Sequence, residues 1–218
     1  MKTKKVIFYV LMILPLLVVL IALRFLPDQI PAHYDFNNQV TRWGNKYETL
    51  IFPVFTILFG SFMLGIARYL AKQEESGNNN EKVCIIMGIA VLILFNAMTG
   101  YSLYTDFKQV ENLSSVELDI YCLIFGILGV TMIIIGNIMP KVRMNSVIGL
   151  RTSWSMKNEA TWKKSQRFSG ISFIIGGFVI IVICFFTRGI ACFLWTMGII
   201  LLLLAADVCY TYKISRKC

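Results

Sequence analysis

Six apolar stretches, each long enough to cross a lipid bilayer, account for most of this chain. They run over residues 6–26, 50–70, 83–104, 116–138, 168–186 and 190–210. A hydrocarbon core of about 30 Å takes about 20 apolar residues in helical form. Lipid offers backbone amides no partner, so a crossing segment must satisfy them internally, as a helix does. The sequence therefore predicts an all-α membrane protein with six transmembrane helices. Outside the lipid it predicts only a small extracellular cap and one long cytoplasmic loop.

Composition and charge agree with this reading. The chain of 218 residues is 57% hydrophobic and has a mean hydropathy of +0.69, too apolar for a soluble domain of that size. A net charge of +9 would suggest nucleic acid if the basic residues formed one patch. They alternate between the ends of the spans instead. Sixteen Lys and Arg flank one set of ends and five flank the other. Lys and Arg accumulate on the cytoplasmic side, so both termini are predicted there, and no direct contact with nucleic acid is expected. The first stretch is read as a span, because it is too long for the apolar region of a cleaved leader and no small-residue cleavage site follows it. Leu26-Pro27 is predicted to end it, since proline cannot continue helical hydrogen bonding.

The cysteines are Cys84, Cys122, Cys184, Cys192, Cys209 and Cys218, with no C-x-x-C pair. Most fall in or beside spans, where cysteine acts as a small apolar residue. Cys184 and Cys192 flank a short outer turn, where a disulfide and a pair of free thiols are the two alternatives. With a single histidine and no ligand-spaced cluster, no metal or other cofactor is expected.

Two connections are too long to be turns. The outer one, 27–49, alternates aromatic and polar residues around Asn37-Asn38. Asparagine tolerates positive φ, so the pattern predicts a small β-hairpin or ordered cap. Its Tyr34, Trp43 and Tyr47 are expected at headgroup level. The inner one, 139–167, is predicted to be helical over 158–166, capped by Ser155, with a basic face and Trp162 on the apolar side. Such a stretch is expected to lie along anionic headgroups. The link 72–82 is read as a solvated, flexible connection.

Three constellations bear on chemistry. His33 and Asp35, with Asp28 and Lys46 nearby, form either a docking site for an outer ligand or a self-tied loop. Arg151, Thr152, Trp154, Asn158 and Trp162 present a guanidinium with hydroxyl, amide and indole donors, suited to a phosphate or carboxylate; the alternative is an arginine snorkelling to lipid. Asp207 is the one carboxylate well inside a stretch, and is expected to pair with a cation or to serve a relay. No nucleophile lies near His33, and there are no paired intramembrane aspartates and no H-E-x-x-H, so no enzymatic activity is predicted.

The same two loops carry a family resemblance. The outer segment 26–46, LPDQIPAHYDFNNQVTRWGNK, resembles the P-x-x-I-P-x-H-[aromatic]-[Asp/Asn] motif of the DUF1648 domain. Pro27, Ile30, Pro31, His33, Tyr34, Asp35 and the closing Lys46 match, and Asn38 stands where a turn glycine is usual. The inner segment 145–170 resembles the signature of the SdpI family, N-x-x-I-G-[Ile/Leu]-R-T-x-W followed by a second Asn and Trp. Asn145, Gly149, Arg151, Thr152, Trp154, Asn158 and Trp162 match; Ser153 and Gln166 stand where a proline and a histidine are often found.

The resemblance implies a DUF1648-like region over 1–72, with two spans and the outer loop 27–49, and an SdpI-like region over 83–213, with four spans and the inner loop 139–167. It implies a bacterial cell-membrane protein that gives resistance to a secreted, membrane-active peptide toxin. In this family some members also hold a winged-helix repressor at the inner face. The matching residues of the two motifs are then the expected ligand and partner positions. The residues alone leave a rival open: a small-solute or ion transporter using Asp207 and Arg151. Convergence of Asp207, Asn96, Asn137 and Arg151 on one water-accessible cavity would favour that rival.

Overall fold

A computed structural model describes residues 2–73 and 77–217. Six long helices follow the six apolar stretches: α1 (Lys2–Ala22), α2 (Ile51–Ala71), α3 (Gly77–Lys108), α4 (Ile120–Ile138), α5 (Glu159–Phe186) and α6 (Gly189–Ser215). All six are long and apolar enough to cross a membrane. Large side chains such as Phe185, Phe186, Leu201 and Leu202 stay exposed on their outer faces. Lipid is as apolar as these side chains, so such faces need no protein cover.

α1, α2 and α3 pack together as one group, and α4, α5 and α6 as another, joined where α3 meets α4. The closest helix pair is α4 with α5. A Cβ on Gly136 or Gly170 would strike the carbonyl of the facing glycine, and the same holds for Gly129 and Gly177. Small residues let the two backbones touch, which is how helices gain packing energy in a medium that supplies little hydrophobic drive.

Several boundaries differ from the sequence reading. α1 is assigned to Ala22, but helix-type bonding continues to Leu26 N–H on Ala22 O at 3.0 Å, so the stop does fall just before Pro27. The link 72–82 is not a flexible connection throughout: α3 already begins at Gly77, and 74–76 lie outside the described residues. Asn80 and Glu81 are buried there, Glu81 in an ion pair with Lys5 at 2.6 Å. These polar side chains find protein partners that a single sequence does not display. The predicted helix 158–166 is the first part of α5, continuous with the fifth span, and is not a separate helix on the headgroups. Its cap is Asn158, whose side chain accepts from Thr161 N–H at 2.8 Å; Ser155 serves another purpose.

The outer connection forms a hairpin, β1 (Gln29–Tyr34) antiparallel to β2 (Val40–Asn45). Asn38 takes φ +65°, as the turn requires. A 3₁₀ turn, Lys46–Leu50, leads into α2.

Candidate functional site

The hairpin is tied internally by the residues its motif singles out. Asp35 Oδ1 accepts from both Asn37 N–H and Gln39 N–H at 2.9 Å, closing the turn. His33 Nδ1 lies 2.6 Å from Thr41 Oγ1 across the strands. Lys46 Nζ pairs with Asp28 at 2.8 Å at the hairpin's base, holding the Asp28 carboxyl below its ordinary range through that hydrogen bond. Pro27 and Lys46 therefore belong to the base of the cap. His33 and Asp35 do the local tying that the self-tied alternative describes.

The cap is also fastened to the connection between α3 and α4. Tyr34 Oη donates to Val110 O at 2.7 Å, Val40 N–H to Glu111 O at 2.9 Å, and Leu113 N–H to Asn38 O at 2.9 Å. Burial pushes the Tyr34 phenol up to about 12. Of the three rings expected at headgroup level, Trp43 and Tyr47 are exposed, whereas Tyr34 is half-buried because it serves as this fastener.

Beneath the fastened cap lies a cavity of about 360 Å³ between β1, α3 and α4. Pro31, His33, Tyr34 and Asp35 form one wall; Met98, Tyr101, Ser102 and Thr105 of α3 face them. The Tyr101 hydroxyl is buried and has no hydrogen-bond partner among the described residues. The α3 residues were not legible as site residues. They sit in an apolar stretch, and only the polar spacing of Tyr101, Ser102 and Thr105 hints at a shared face.

The inner loop is built almost wholly from side chain to backbone bonds. Asn145 Oδ1 accepts from Val147 and Ile148 N–H, at 2.8 and 2.7 Å, while its Nδ2 donates to Arg143 O and Ile148 O. Asn80 of α3 bonds both backbone groups of Arg143. Gly149 sits at φ +101°, a conformation that disfavours any side chain. Thr152 and Ser155 cap one another, Thr152 N–H on Ser155 Oγ at 2.8 Å and Ser155 N–H on Thr152 Oγ1 at 2.9 Å. Trp162, 1% exposed, donates its indole N–H to Val142 O at 2.8 Å. It is a core residue, not an interface anchor.

Two motif residues remain outward-facing. Arg151 is exposed and makes no hydrogen bond or ion pair among the described residues, so it does not hold the loop. Trp154 is 38% exposed and sets its ring edge against Tyr212, with ring centres 5.2 Å apart. The Arg216 guanidinium lies 5.0 Å from the centre of the same Tyr212 ring. Lys157 Nζ donates to Ser215 O at 2.7 Å, so the loop and the end of α6 form one surface.

Asp207 pairs with no cation among the described residues. It is fully buried, and Oδ2 accepts from Ser169 Oγ at 2.6 Å across the α5–α6 interface. Nor do the polar residues converge. Asn96 donates to Leu11 O and to Leu92 O, joining α3 to α1; Asn137 is exposed on α4; Arg151 is on the loop. The arrangement that would favour the transporter reading is therefore missing among the described residues. Cys184 and Cys192 are free thiols with sulfurs 3.6 Å apart. The short turn between them is fastened by Asp119, which accepts from Gly189 N–H at 3.1 Å.

Comparison with known proteins meets this geometry at both loops. The model of the SdpI/YfhL protein family matches residues 141–211, the inner loop with α5 and most of α6. A domain of unknown function, DUF1648, matches residues 10–57, which contain the hairpin cap. The chain is therefore similar to the SdpI/YfhL family over its inner loop and last two helices. It is also similar to the immunity protein SdpI of Bacillus subtilis (strain 168), at 28% identity over 217 residues, covering 98% of this chain and 97% of that protein. No solved structure matches. Six apolar helices, together with this similarity, make this a multi-pass membrane protein.

Proposed function

We propose that this protein is a membrane immunity protein that protects its cell from a secreted, membrane-active peptide toxin. The observation that carries the reading is the near end-to-end similarity to an immunity protein, which spans both the cap and the inner loop. The structure adds a physical rationale. The cap is a rigid, fastened element over a cavity, suited to binding, and its exposed face is small. The protein acts by binding, with Pro31, His33, Tyr34 and Asp35 at the ligand wall and Pro27 and Lys46 holding the cap's base.

The sixteen-to-five distribution of Lys and Arg supports a cap outside the cell and both termini in the cytoplasm. In that orientation the surface of Arg151, Trp154 and Tyr212 faces the cytoplasm. It is the docking face for a protein partner, a winged-helix repressor in the reading the family resemblance suggests. Asn145, Gly149, Thr152, Asn158 and Trp162 shape that face from within.

The test is expression in a sensitive bacterium challenged with secreted membrane-active peptides. Survival that depends on the protein, against one peptide and not against unrelated ones, is the expected result. Equal killing with and without the protein, across all peptides at confirmed membrane levels, would remove the immunity reading.

A further inference from the structure

We infer that the cavity beneath the cap is a pocket for one large apolar side chain of a peptide, with the peptide backbone running along β1 and one of its carbonyls accepting from the Tyr101 hydroxyl. The inference rests on the proposed peptide ligand and assigns where and how that ligand is held.

Four observations converge on it. First, the floor is apolar, formed by Phe52, Met98, Ile120 and Ile124. A volume of about 360 Å³ sits at the low end of ligand pockets, which span about 300–1,000 Å³. It suits one side chain, not a folded partner. Second, Tyr101 is 8% exposed, lines this cavity, and its hydroxyl lacks any partner among the described residues. A buried hydroxyl left unpaired is costly, and an entering acceptor removes that cost. Third, β1 pairs with β2 on one side only, and its residues 31–34, with Asp35 just after them, all border the cavity. A strand with one open edge is a template for an extended peptide. Fourth, the lining contains one carboxylate, Asp35, and no Lys or Arg. That excludes a phosphate headgroup or a fatty-acid carboxylate as the favoured occupant and admits a neutral or cationic peptide. The alkyl part of a lipid tail has no acceptor to offer Tyr101.

The test uses the full chain in phosphatidylethanolamine–phosphatidylglycerol nanodiscs. The probe is N-acetyl-Val-(4-fluoro-Phe)-Val N-methylamide, followed by fluorine NMR. Binding to the unaltered chain is expected to be saturable. Met98→Trp, which puts a bulkier ring into the cavity, should weaken it at least tenfold. Tyr101→Phe removes one oxygen and keeps the packing; it should weaken binding about fivefold, the worth of one neutral hydrogen bond. Leu202→Trp, on an outward-facing position of α6 that is 72% exposed, should change nothing. n-Decane, an alkyl chain with no acceptor, should compete poorly, and to the same small extent in the unaltered and Tyr101→Phe chains.

Absence of saturable binding, or binding indifferent to both cavity variants, would overturn the pocket. So would tight n-decane binding that displaces a probe insensitive to Tyr101, because the cavity would then be a site for a plain alkyl chain. A chain that protects cells yet binds no probe overturns the pocket and leaves the immunity reading standing. A chain that binds the probe yet protects against no peptide overturns the immunity reading and leaves the pocket.

Discussion

Gln166 grips Leu150 by both of its backbone groups: Oε1 accepts from Leu150 N–H at 3.0 Å and Nε2 donates to Leu150 O at 2.9 Å. The same oxygen lies 2.8 Å from where a Cβ on Gly149 would stand. A side chain from the first turns of α5 thus fixes the stretch that leads into Arg151. The grip explains why the loop is ordered although Arg151 itself holds nothing.

Gln166→Leu keeps the volume and removes the grip. Leu150 O retains the Ser155 hydroxyl at 2.9 Å, whereas Leu150 N–H loses its partner. An unpaired N–H costs about 1–3 kcal/mol when fully buried; Leu150 is half-buried, so thermal unfolding in detergent should shift down by the low end of that range. An unchanged melting temperature would show that the grip contributes nothing.

Gly149→Ala should be at least as harmful. It places a side chain at φ +101° and against Gln166, and strained backbone of this kind costs about 1–3 kcal/mol. The double variant Gly149→Ala with Gln166→Ala relieves the contact but not the strain. Its loss of stability should be smaller than the sum of the losses in Gly149→Ala and Gln166→Ala, as measured by a double-mutant cycle.

Arg151→Ala should leave stability within about 0.5 kcal/mol, as for an exposed residue without partners. If a carboxylate or phosphate on a partner needs the guanidinium fork, both Arg151→Lys and Arg151→Ala lose partner-dependent signalling at normal protein level. Near-normal signalling by the lysine variant would reduce Arg151 to a point charge.

Asp35 acts in the hairpin through one carboxylate oxygen that accepts two N–H groups. Asp35→Asn retains such an oxygen and should keep the turn; Asp35→Ala should not. Protection retained by the Asn variant and lost by the Ala variant, at equal membrane levels, is the expected pattern. Loss in both would show that the charge itself meets the ligand.

The Asp28–Lys46 pair makes the base of the cap acid-sensitive. The folded Asp28 carboxyl is held below its unfolded value by Lys46. The stability it contributes is therefore present above the unfolded pKa, about 3.9, and fades as pH falls through the lower folded value. Protection of the Lys46 amide, which donates to Asp28 O at 3.1 Å, should fall over that acid range when exchange is referred to the intrinsic rate at each pH. Asp28→Asn should flatten the dependence.

The sequence by itself determined the six helices and the hairpin. Both follow from local rules: an apolar run of bilayer length leaves the backbone no alternative to a helix, and Asn37-Asn38 between two short strands admits a left-handed turn, which Asn38 takes. The two motif segments were legible as well, and they mark the cap and the inner loop. Their roles were decided only by tertiary structure. Trp162 and Asn158 look alike, in sequence, to Arg151 and Trp154 as donors near a membrane surface. The fold buries Trp162 against Val142 O, spends Asn158 on capping α5, and leaves Arg151 outside. Asp207 was visible as a buried charge, but Ser169 as its partner was not, because the two lie 38 residues apart on different helices. The cavity under the cap is a product of the same kind. It exists where β1 meets α3 and α4, three segments whose juxtaposition depends on long-range fasteners such as Tyr34 on Val110. Hydropathy and turn chemistry act between neighbours along the chain, whereas a pocket and a partner surface arise from which distant side chains find each other's backbone.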